Sequence, residues 1–226
     1  MSNKYTTLLI DADNTLLDFS LSEKLSITQT FKELGLPYDE KNVALYQKIN
    51  DECWKELEKG LLTNKQVYTV RFERYLKQIG ENYDTTVINE KYFSLLSECT
   101  YKMDGCDEIL DYLKEKYALY IVTNGAAFNQ NNRIRKSGLI NKINGYFISE
   151  EIGFKKPQKE FFDYVMERIE EKDKSKILVV GDSLSSDILG GINAGIDTCF
   201  INWDKKETKL NITYTVNNLY ELKNIL

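Results

Sequence analysis

The chain of 226 residues contains no histidine. This absence excludes the Ser-His-Asp and Cys-His nucleophile systems, imidazole acid–base catalysis and metal sites that are built on histidine. Any catalysis must therefore rely on carboxylates, lysine, hydroxyl groups or a hard metal ion.

Long apolar runs and paired cysteines are also missing. No stretch approaches the roughly 20 apolar residues that a membrane-spanning helix needs, and the four cysteines form no CxxC pair that would indicate a zinc site or a disulfide framework. The first residues, MSNKYTTLLIDADNT, turn acidic after a short apolar stretch and lack the small-residue cleavage site of a signal peptide. We expect a soluble, cytoplasmic protein whose cysteines are small buried residues.

The chain has no excess of positive charge. Its 30 Lys and Arg residues face 35 Asp and Glu residues, for a net charge of -5, and the isoelectric point is near 5.1. Surfaces that bind nucleic-acid polymers or anionic membranes are rich in Lys and Arg, so neither is an expected partner. We expect small molecules as ligands, and a monomer and a dimer are both compatible with the sequence.

Short apolar runs alternate with helical patterns along most of the chain. Apolar residues recur with helical spacing at 107–116 and 159–170, and residues 213–226 are typical of an edge strand followed by a short helix. Strands that alternate with helices predict a doubly wound α/β fold with a parallel sheet, in which ligands bind beyond the carboxyl ends of the strands. The other predicted strands are residues 6–10, 117–122, 145–149, 176–180 and 197–201.

Residues 20–97 differ because they show helical periodicity throughout and no convincing strand. Three helices are predicted here, ending at Gly35, Gly60 and Gly80, and Thr63 with Gln66 fits a capping box at the start of the third. We therefore predict a helical insert at 17–97 within a catalytic core of 1–16 and 98–226.

Asp11 and Asp13 lie two residues apart at the end of the first predicted strand. A carboxylate can attack a phosphoryl group, and a neighbouring acid can protonate the leaving oxygen and then activate water. Asp11 suits the first role and Asp13 the second. The tripeptide Asp-Ala-Asp at residues 11–13 also fits an acidic turn after a strand, without any catalytic role.

A second acidic element, GDSLSSD, follows the fourth predicted strand. Mg²⁺ prefers oxygen ligands, one or two of them carboxylates, and Asp11 with Asp182 satisfies that preference. Asp187 is placed to orient a metal-bound water without binding the ion itself. A Gly-Asp-Ser turn alone does not establish a metal site.

Polar residues also follow the second predicted strand. The hydroxyl of Thr123 and the adjacent backbone amides, beginning with Asn124, can hold phosphate oxygens. Lys156 can supply a fixed cation that neutralises both the nucleophile and the transferring group. A solvated surface lysine is the alternative, and Lys155 competes for the role, but Pro157 restricts the backbone next to Lys156.

Taken together, the segments DADNT, TN, KP and GDSLSSD resemble the four motifs of the haloacid dehalogenase superfamily of phosphohydrolases, in the same order. The resemblance implies a Rossmann-like core with a central first strand and a helical cap inserted after the first motif. It implies a Mg²⁺ cofactor and an aspartyl-phosphate intermediate. The implied roles are Asp11 as nucleophile, Asp13 as acid–base residue and backbone-carbonyl metal ligand, Thr123 and Asn124 for phosphate, Lys156 as cation, and Asp182 and Asp187 at the metal.

A narrower resemblance concerns DADNTLLDF, VRFERYL, TNGAAFNQNNRIRKSGL and TYTVNNLYEL, which look similar to bacterial 5'-nucleotidases that act on pyrimidine nucleoside monophosphates. It implies a nucleoside monophosphate as substrate. Phe19 could then stack on the base and Arg71 could meet a polar group of the substrate. The alternatives are packing for Phe19 and helix-surface ion pairing for Arg71.

Other activities of the same scaffold remain as alternatives. Dehalogenases lack the second acid of the first motif, so Asp13 argues against them, and no cap lysine indicates a phosphonate hydrolase. A sugar-phosphate phosphatase or a phosphomutase is harder to separate from a nucleotidase. A catalytically silent regulator that binds phosphorylated metabolites would not need Asp13, and a receiver domain would lack the helical insert.

Overall fold

One sheet of six parallel strands forms the centre of the computed structural model, which describes residues 4–226. The strands are β1 (Thr7–Ile10), β2 (Ala118–Thr123), β3 (Gly145–Ile148), β4 (Ile177–Gly181), β5 (Asp197–Ile201) and β6 (Tyr214–Val216). Their order across the sheet is β3-β2-β1-β4-β5-β6, and every neighbouring pair is parallel. All six predicted strands are present, including the edge strand near the end of the chain.

Every described strand except β5 is followed by a helix. A 3-10 helix (Leu219–Asn224) follows β6, and one π-helical turn (Leu184–Ile188) follows β4. The α-helices are α1 (Phe19–Leu34), α2 (Glu40–Glu58), α3 (Asn64–Ile79), α4 (Thr85–Leu96), α5 (Cys106–Lys114), α6 (Ala127–Lys136), α7 (Ser149–Ile152), α8 (Lys159–Arg168) and α9 (Leu189–Ala194).

Apolar side chains cover both faces of the sheet. Successive residues of a strand point to opposite faces, so Leu8 and Ile10 of β1 pack in one cluster with α5, while Leu9 packs in another with α8. A parallel sheet with both faces covered by helices is the doubly wound α/β fold, and that prediction is confirmed.

Helices α1 to α4 pack around a separate cluster that is rich in aromatic rings. Phe31 stacks on Tyr75 at a centroid distance of 4.6 Å, and Tyr46 stacks on Phe72 at 5.2 Å. The predicted capping box is present at the start of α3, where Thr63 and the side chain of Gln66 exchange hydrogen bonds with each other's backbone. The structure adds α4, which the sequence pattern did not resolve as a separate helix.

The two segments that connect helices α1–α4 with the sheet lie side by side. The backbone N–H of Asp18 donates to the carbonyl of Tyr101 at 2.9 Å, and the N–H of Met103 donates to the carbonyl of Leu16 at 3.0 Å. The two connecting segments are therefore hydrogen-bonded to each other next to the end of β1, where Asp11 and Asp13 lie.

Three of the four cysteines are buried, as expected. Cys53, Cys106 and Cys199 are buried free thiols, whereas Cys99 is half-buried. Within residues 4–226, none of the helices combines the length and apolar character that crossing a bilayer requires.

One carboxylate is buried among helices α1–α4. Glu23 has 6% of its surface exposed and accepts hydrogen bonds from Gln47 Nε2 at 3.1 Å and Asn50 Nδ2 at 2.6 Å. Burial raises the pKa of Glu23 to about 7, although these two hydrogen bonds act in the opposite direction. Ionising this group in the folded protein is therefore unfavourable.

We predict that Glu23→Gln stabilises the protein at pH 8 but not at pH 5. Because the folded-state pKa lies above that of the unfolded chain, the stability from protonated Glu23 is complete below about pH 4.5 and is lost as the pH rises through about 7. An amide does not ionise, so the variant should gain up to about 3 kcal/mol relative to the wild type across this range. Urea unfolding at both pH values measures the difference.

Glu33→Gln on the same helix is the control. Hydrogen bonds from Lys91 and Gln29 lower the pKa of exposed Glu33, so its carboxylate stabilises the fold above its ordinary pKa and the amide variant should lose stability at pH 8. A pH-independent difference between Glu23→Gln and the wild type would contradict the prediction.

Candidate active site

Predicted site residues converge at the carboxyl ends of three adjacent strands. Asp11 directly follows β1, Thr123 ends β2 and Asp182 directly follows β4, and these strands are neighbours in the order β2-β1-β4. Parallel strands end at the same edge of a sheet, so their loops meet there. The structure thus brings the predicted residues of the distant motifs together.

Lys156 lies at the centre of this group and is 1% exposed. Its Nζ donates to Asp11 Oδ1 at 2.6 Å, to Asp187 Oδ1 at 2.6 Å and to the backbone carbonyl of Val122 at 2.7 Å. An ammonium group has three N–H donors, so all of them are engaged. Lys156, and not the neighbouring Lys155, therefore supplies the cation.

Asn124 holds the backbone of Lys156 in place. Its Nδ2 donates to the carbonyl of Lys156 at 2.8 Å, and its Oδ1 accepts from the N–H of Lys156 at 2.9 Å. This reciprocal pair joins the loop after β2 to the loop before α8. The side chain of Asn124 is thus engaged with the peptide of Lys156 in addition to the phosphate role that the motif implies.

Three carboxylates form a cluster that could hold a metal ion. Asp11, Asp182 and Asp187 each place an oxygen within 4.8 Å of the others. Asp182 Oδ1 also accepts from the hydroxyl of Thr15 at 3.1 Å, and Asp187 Oδ2 accepts from the N–H of Ser183 at 3.1 Å. A set of oxygen donors fits Mg²⁺.

The electrostatics of the cluster favour a cation. Burial and the charge of Asp187 raise the pKa of Asp11, and the same two causes raise the pKa of Asp182 to about 7. Burial lowers the pKa of Lys156, but the charges of Asp11 and Asp187 outweigh it, so the net direction is upward. One ammonium thus faces three carboxylates, and a divalent cation would relieve the repulsion among them.

Small residues make room for this arrangement. A Cβ on Gly181, the last residue of β4, would overlap the carboxylate of Asp187. A Cβ on Gly125 would overlap the side-chain amide of Gln130. Both glycines therefore allow a polar side chain of the candidate site to approach the backbone closely.

Asp13 is held by two side chains of α6 that the sequence analysis did not single out. Gln130 Nε2 donates to Asp13 Oδ2 at 2.6 Å, and the guanidinium of Arg133 is hydrogen-bonded and ion-paired with Asp13 Oδ1. Arg133 Nε also donates to the carbonyl of Cys99 at 3.3 Å. The segment NQNNRIRK belongs to the nucleotidase resemblance. Which of its residues contact Asp13, however, depends on the orientation of α6, which the sequence does not give.

The hydroxyl of Thr123 is left with a hydrogen to donate. It accepts from Gln130 Nε2 at 2.7 Å and from the N–H of Gly125 at 3.1 Å. A hydroxyl has two acceptor sites and one donor. Since both acceptor sites are used, Thr123 can offer its proton to an anionic oxygen.

A cavity of about 820 Å³ connects these residues with helices α1 to α4. Phe19 lines this cavity, is half-buried, and packs against the aromatic cluster with the guanidinium carbon of Arg133 5.6 Å from its ring centre. Arg71 also lines it but is 1% exposed, so helix-surface ion pairing was a wrong alternative for this residue. Glu23 also lines the cavity. The sequence does not mark it as a site residue, because a glutamate in a helix is usually a surface residue.

Comparison with known proteins agrees with this architecture. Residues 5–195 match the protein-family model described as "haloacid dehalogenase-like hydrolase". The HAD-hydrolase YfnB of Bacillus subtilis is 40% identical over 225 residues, which are 99% of this chain and 96% of YfnB.

Two similar proteins have names that state an activity. Pyrimidine 5'-nucleotidase PynA of Streptococcus pneumoniae is 36% identical, covering 98% of this chain and 97% of its own. Pyrimidine 5'-nucleotidase YjjG of Escherichia coli is 32% identical, covering 99% of this chain and 98% of its own.

Solved structures match over nearly the full length. The crystal structure of YfnB bound to magnesium superposes on this chain with a TM-score of 0.94 at 39% identity. The match covers 99% of each chain. A dehalogenase with a TM-score of 0.78 is only 18% identical, so that likeness concerns the fold alone. The predictions of family, fold and enzyme class are confirmed: the chain belongs to the haloacid dehalogenase-like hydrolases.

Proposed function

We propose that this enzyme is a magnesium-dependent phosphomonoesterase that hydrolyses pyrimidine nucleoside 5'-monophosphates through an aspartyl-phosphate on Asp11. The observation that carries the proposal is the cluster of Asp11, Lys156, Asp182 and Asp187 at one end of a cavity large enough for a nucleotide. The similarity to PynA and YjjG supports the choice of a nucleotide over a sugar phosphate.

Asp11 is proposed to attack the phosphorus. Lys156 holds Oδ1 of Asp11, whereas Oδ2 accepts no hydrogen bond from the described residues and is the oxygen that we assign to attack. As the bond from Oδ2 to phosphorus forms, the bond from phosphorus to the 5'-oxygen of the nucleoside breaks. The buried ammonium of Lys156 lowers the repulsion between the carboxylate and the phosphoryl group.

Asp13 is proposed to move the protons. It first gives a proton to the departing 5'-oxygen and then takes one from the water that attacks the aspartyl-phosphate, which releases phosphate and restores Asp11. Gln130 and Arg133 hold both oxygens of Asp13. These contacts keep the carboxyl group oriented in both half-reactions.

Asp11 and Asp182 would hold Mg²⁺, together with the backbone carbonyl of Asp13, and Asp187 would orient the surroundings without binding the ion. When bound, the ion offsets the negative charge of the carboxylates and the phosphoryl group. The free hydroxyl proton of Thr123 and the backbone N–H of Asn124 are proposed to bind phosphate oxygens.

Helices α1 to α4, within residues 17–97, are proposed to act as a cap over this site. Their side chains and those of the sheet's loops line one cavity, and the paired crossings near Asp18 and Tyr101 form a hinge between the two groups of elements. Excluding water in this way would strengthen the charge interactions around the phosphoryl group.

Asp11→Asn should lower kcat by about a thousandfold or more while the fold is kept, because the amide is a poor nucleophile of nearly the same shape. The measurement is phosphate release, with Mg²⁺, from nucleoside monophosphates, sugar phosphates and acyl phosphates. The exposed residue change Asp111→Asn on α5 is the matched control and should retain full activity.

Each result of this panel is informative. A preference for dUMP, dTMP or UMP that Asp11→Asn abolishes supports the nucleotidase, whereas a preference for sugar phosphates keeps the mechanism and rejects the substrate. Activity retained by Asp11→Asn rejects the nucleophile, and no turnover of any substrate by the wild type favours a binding protein.

Removing divalent metal should stop hydrolysis reversibly. Treatment with EDTA should abolish phosphate release and added Mg²⁺ should restore it, because the three carboxylates otherwise repel the substrate. Mg²⁺ should also raise the melting temperature of the wild type more than that of Asp182→Asn, since an ion that binds the native state stabilises it. Hydrolysis that continues unchanged in EDTA would disprove the metal assignment.

A further inference from the structure

A chain of polar side chains crosses the aromatic cluster of helices α1–α4. Gln47 and Asn50 each donate to Glu23, and Arg71 Nη1 donates to Asn50 Oδ1 at 3.1 Å. All four side chains line the cavity that Asp11 also lines. We call Glu23, Gln47, Asn50 and Arg71 the cap polar cluster.

Structural packing alone does not explain the cap polar cluster. Glu23 and Arg71 are 6% and 1% exposed, yet the described residues show no salt bridge between them, and each instead reaches Asn50. A buried charge without an oppositely charged partner is costly, and the rings of Phe72 and Tyr92, whose centres lie 4.9 Å from the guanidinium carbon of Arg71, offset only part of that cost. Arg71 Nε is buried without any hydrogen-bond partner, whereas its Nη2 donates to Asn89 Oδ1 at 2.6 Å. The cluster therefore retains hydrogen-bonding groups without partners next to a cavity.

The hydrogen-bond donors and acceptors of the cluster that have no partner are arranged in a pattern. Each carboxylate oxygen of Glu23 accepts one hydrogen bond and can accept another, while the amides of Gln47 and Asn50 each keep a second hydrogen. An acceptor is thus flanked by donors, and its complement is a group that presents a donor between two acceptors.

We propose that the cap polar cluster recognises the imide edge of a uracil-type base, with Glu23 accepting the N3–H and the flanking donors binding the two carbonyl oxygens. This inference rests on the proposed nucleotidase function and names the residues that select the base. Cytosine presents a lone pair at N3 and an amino group at C4, so it would face a carboxylate without a hydrogen to donate at N3. Phe19 and Trp54 line the same cavity and offer apolar surface for the faces of the ring.

The test compares dUMP with dCMP, which differ only at this edge of the base. At pH 8 the wild type should favour dUMP in kcat/KM by about tenfold or more, because a site built to hydrogen-bond one group rejects an analogue that leaves its polar groups unpaired. In Glu23→Gln the amide can turn to donate to N3 of cytosine, so the ratio of the two kcat/KM values should fall by about tenfold, the equivalent of one hydrogen bond. Hydrolysis of 2-deoxyribose 5-phosphate, which has no base, should stay unchanged.

A second variant keeps the proposal testable if Glu23→Gln does not fold. Gln47→Leu changes a half-buried side chain and should lower kcat/KM for dUMP without changing hydrolysis of 2-deoxyribose 5-phosphate, because one flanking donor to the base is lost. Glu52→Gln is the matched control: this residue is exposed on α2 and does not line the cavity, so the ratio should not change.

The outcomes separate this inference from the proposed function. A folded Glu23→Gln that leaves the ratio unchanged would overturn base recognition by the cap polar cluster while the nucleotidase stands. The same holds for a folded Gln47→Leu that leaves kcat/KM for dUMP unchanged or lowers activity on 2-deoxyribose 5-phosphate as much as on dUMP. A wild type that hydrolyses neither nucleotide but does hydrolyse another phosphomonoester would overturn both proposals.

Discussion

The ammonium group of Lys156, shared between the buried carboxylates of Asp11 and Asp187, is the interaction on which the rest of the site depends. Taking such charges out of water costs several kcal/mol per ion, and the arrangement is stable only if each group is fully hydrogen-bonded. The carbonyl of Val122 takes the third hydrogen of the ammonium, and Asn124 fixes the peptide that carries Lys156. Loops that are distant in sequence are thereby locked into one geometry at the end of the sheet.

The same interaction leaves the site with more negative than positive charge. Asp182 joins the two carboxylates that share Lys156, and the raised pKa of Asp182 reflects both burial and the charge of Asp187. A site that is stable by itself would have balanced these charges. The imbalance fits the proposed functions, because a divalent cation would balance the charge of the carboxylates and let an anionic substrate approach.

The helices outside the sheet are linked to this centre through Arg133. Its guanidinium contacts Asp13, its Nε donates to the carbonyl of Cys99 beside the proposed hinge, and it lies near the ring of Phe19. The proposed acid–base residue and the proposed cap thus share one buried side chain. If the cap also selects the base through Glu23, then both recognition and proton transfer depend on how the helices sit on the sheet.

The amino-acid sequence by itself determined the strands and pointed to Asp11, Asp13 and the acids after β4 as candidate site residues, because these features are local: a strand ends and a polar residue follows. The helical periodicity of residues 20–97 and the proline after Lys156 are local signals too. Only the tertiary structure decided which helix positions face the site. Gln130 and Glu23 resemble surface residues in sequence, and the burial of a polar side chain depends on how its helix packs. It also decided that Arg71 is buried, since no local pattern records which neighbours will cover a charged side chain.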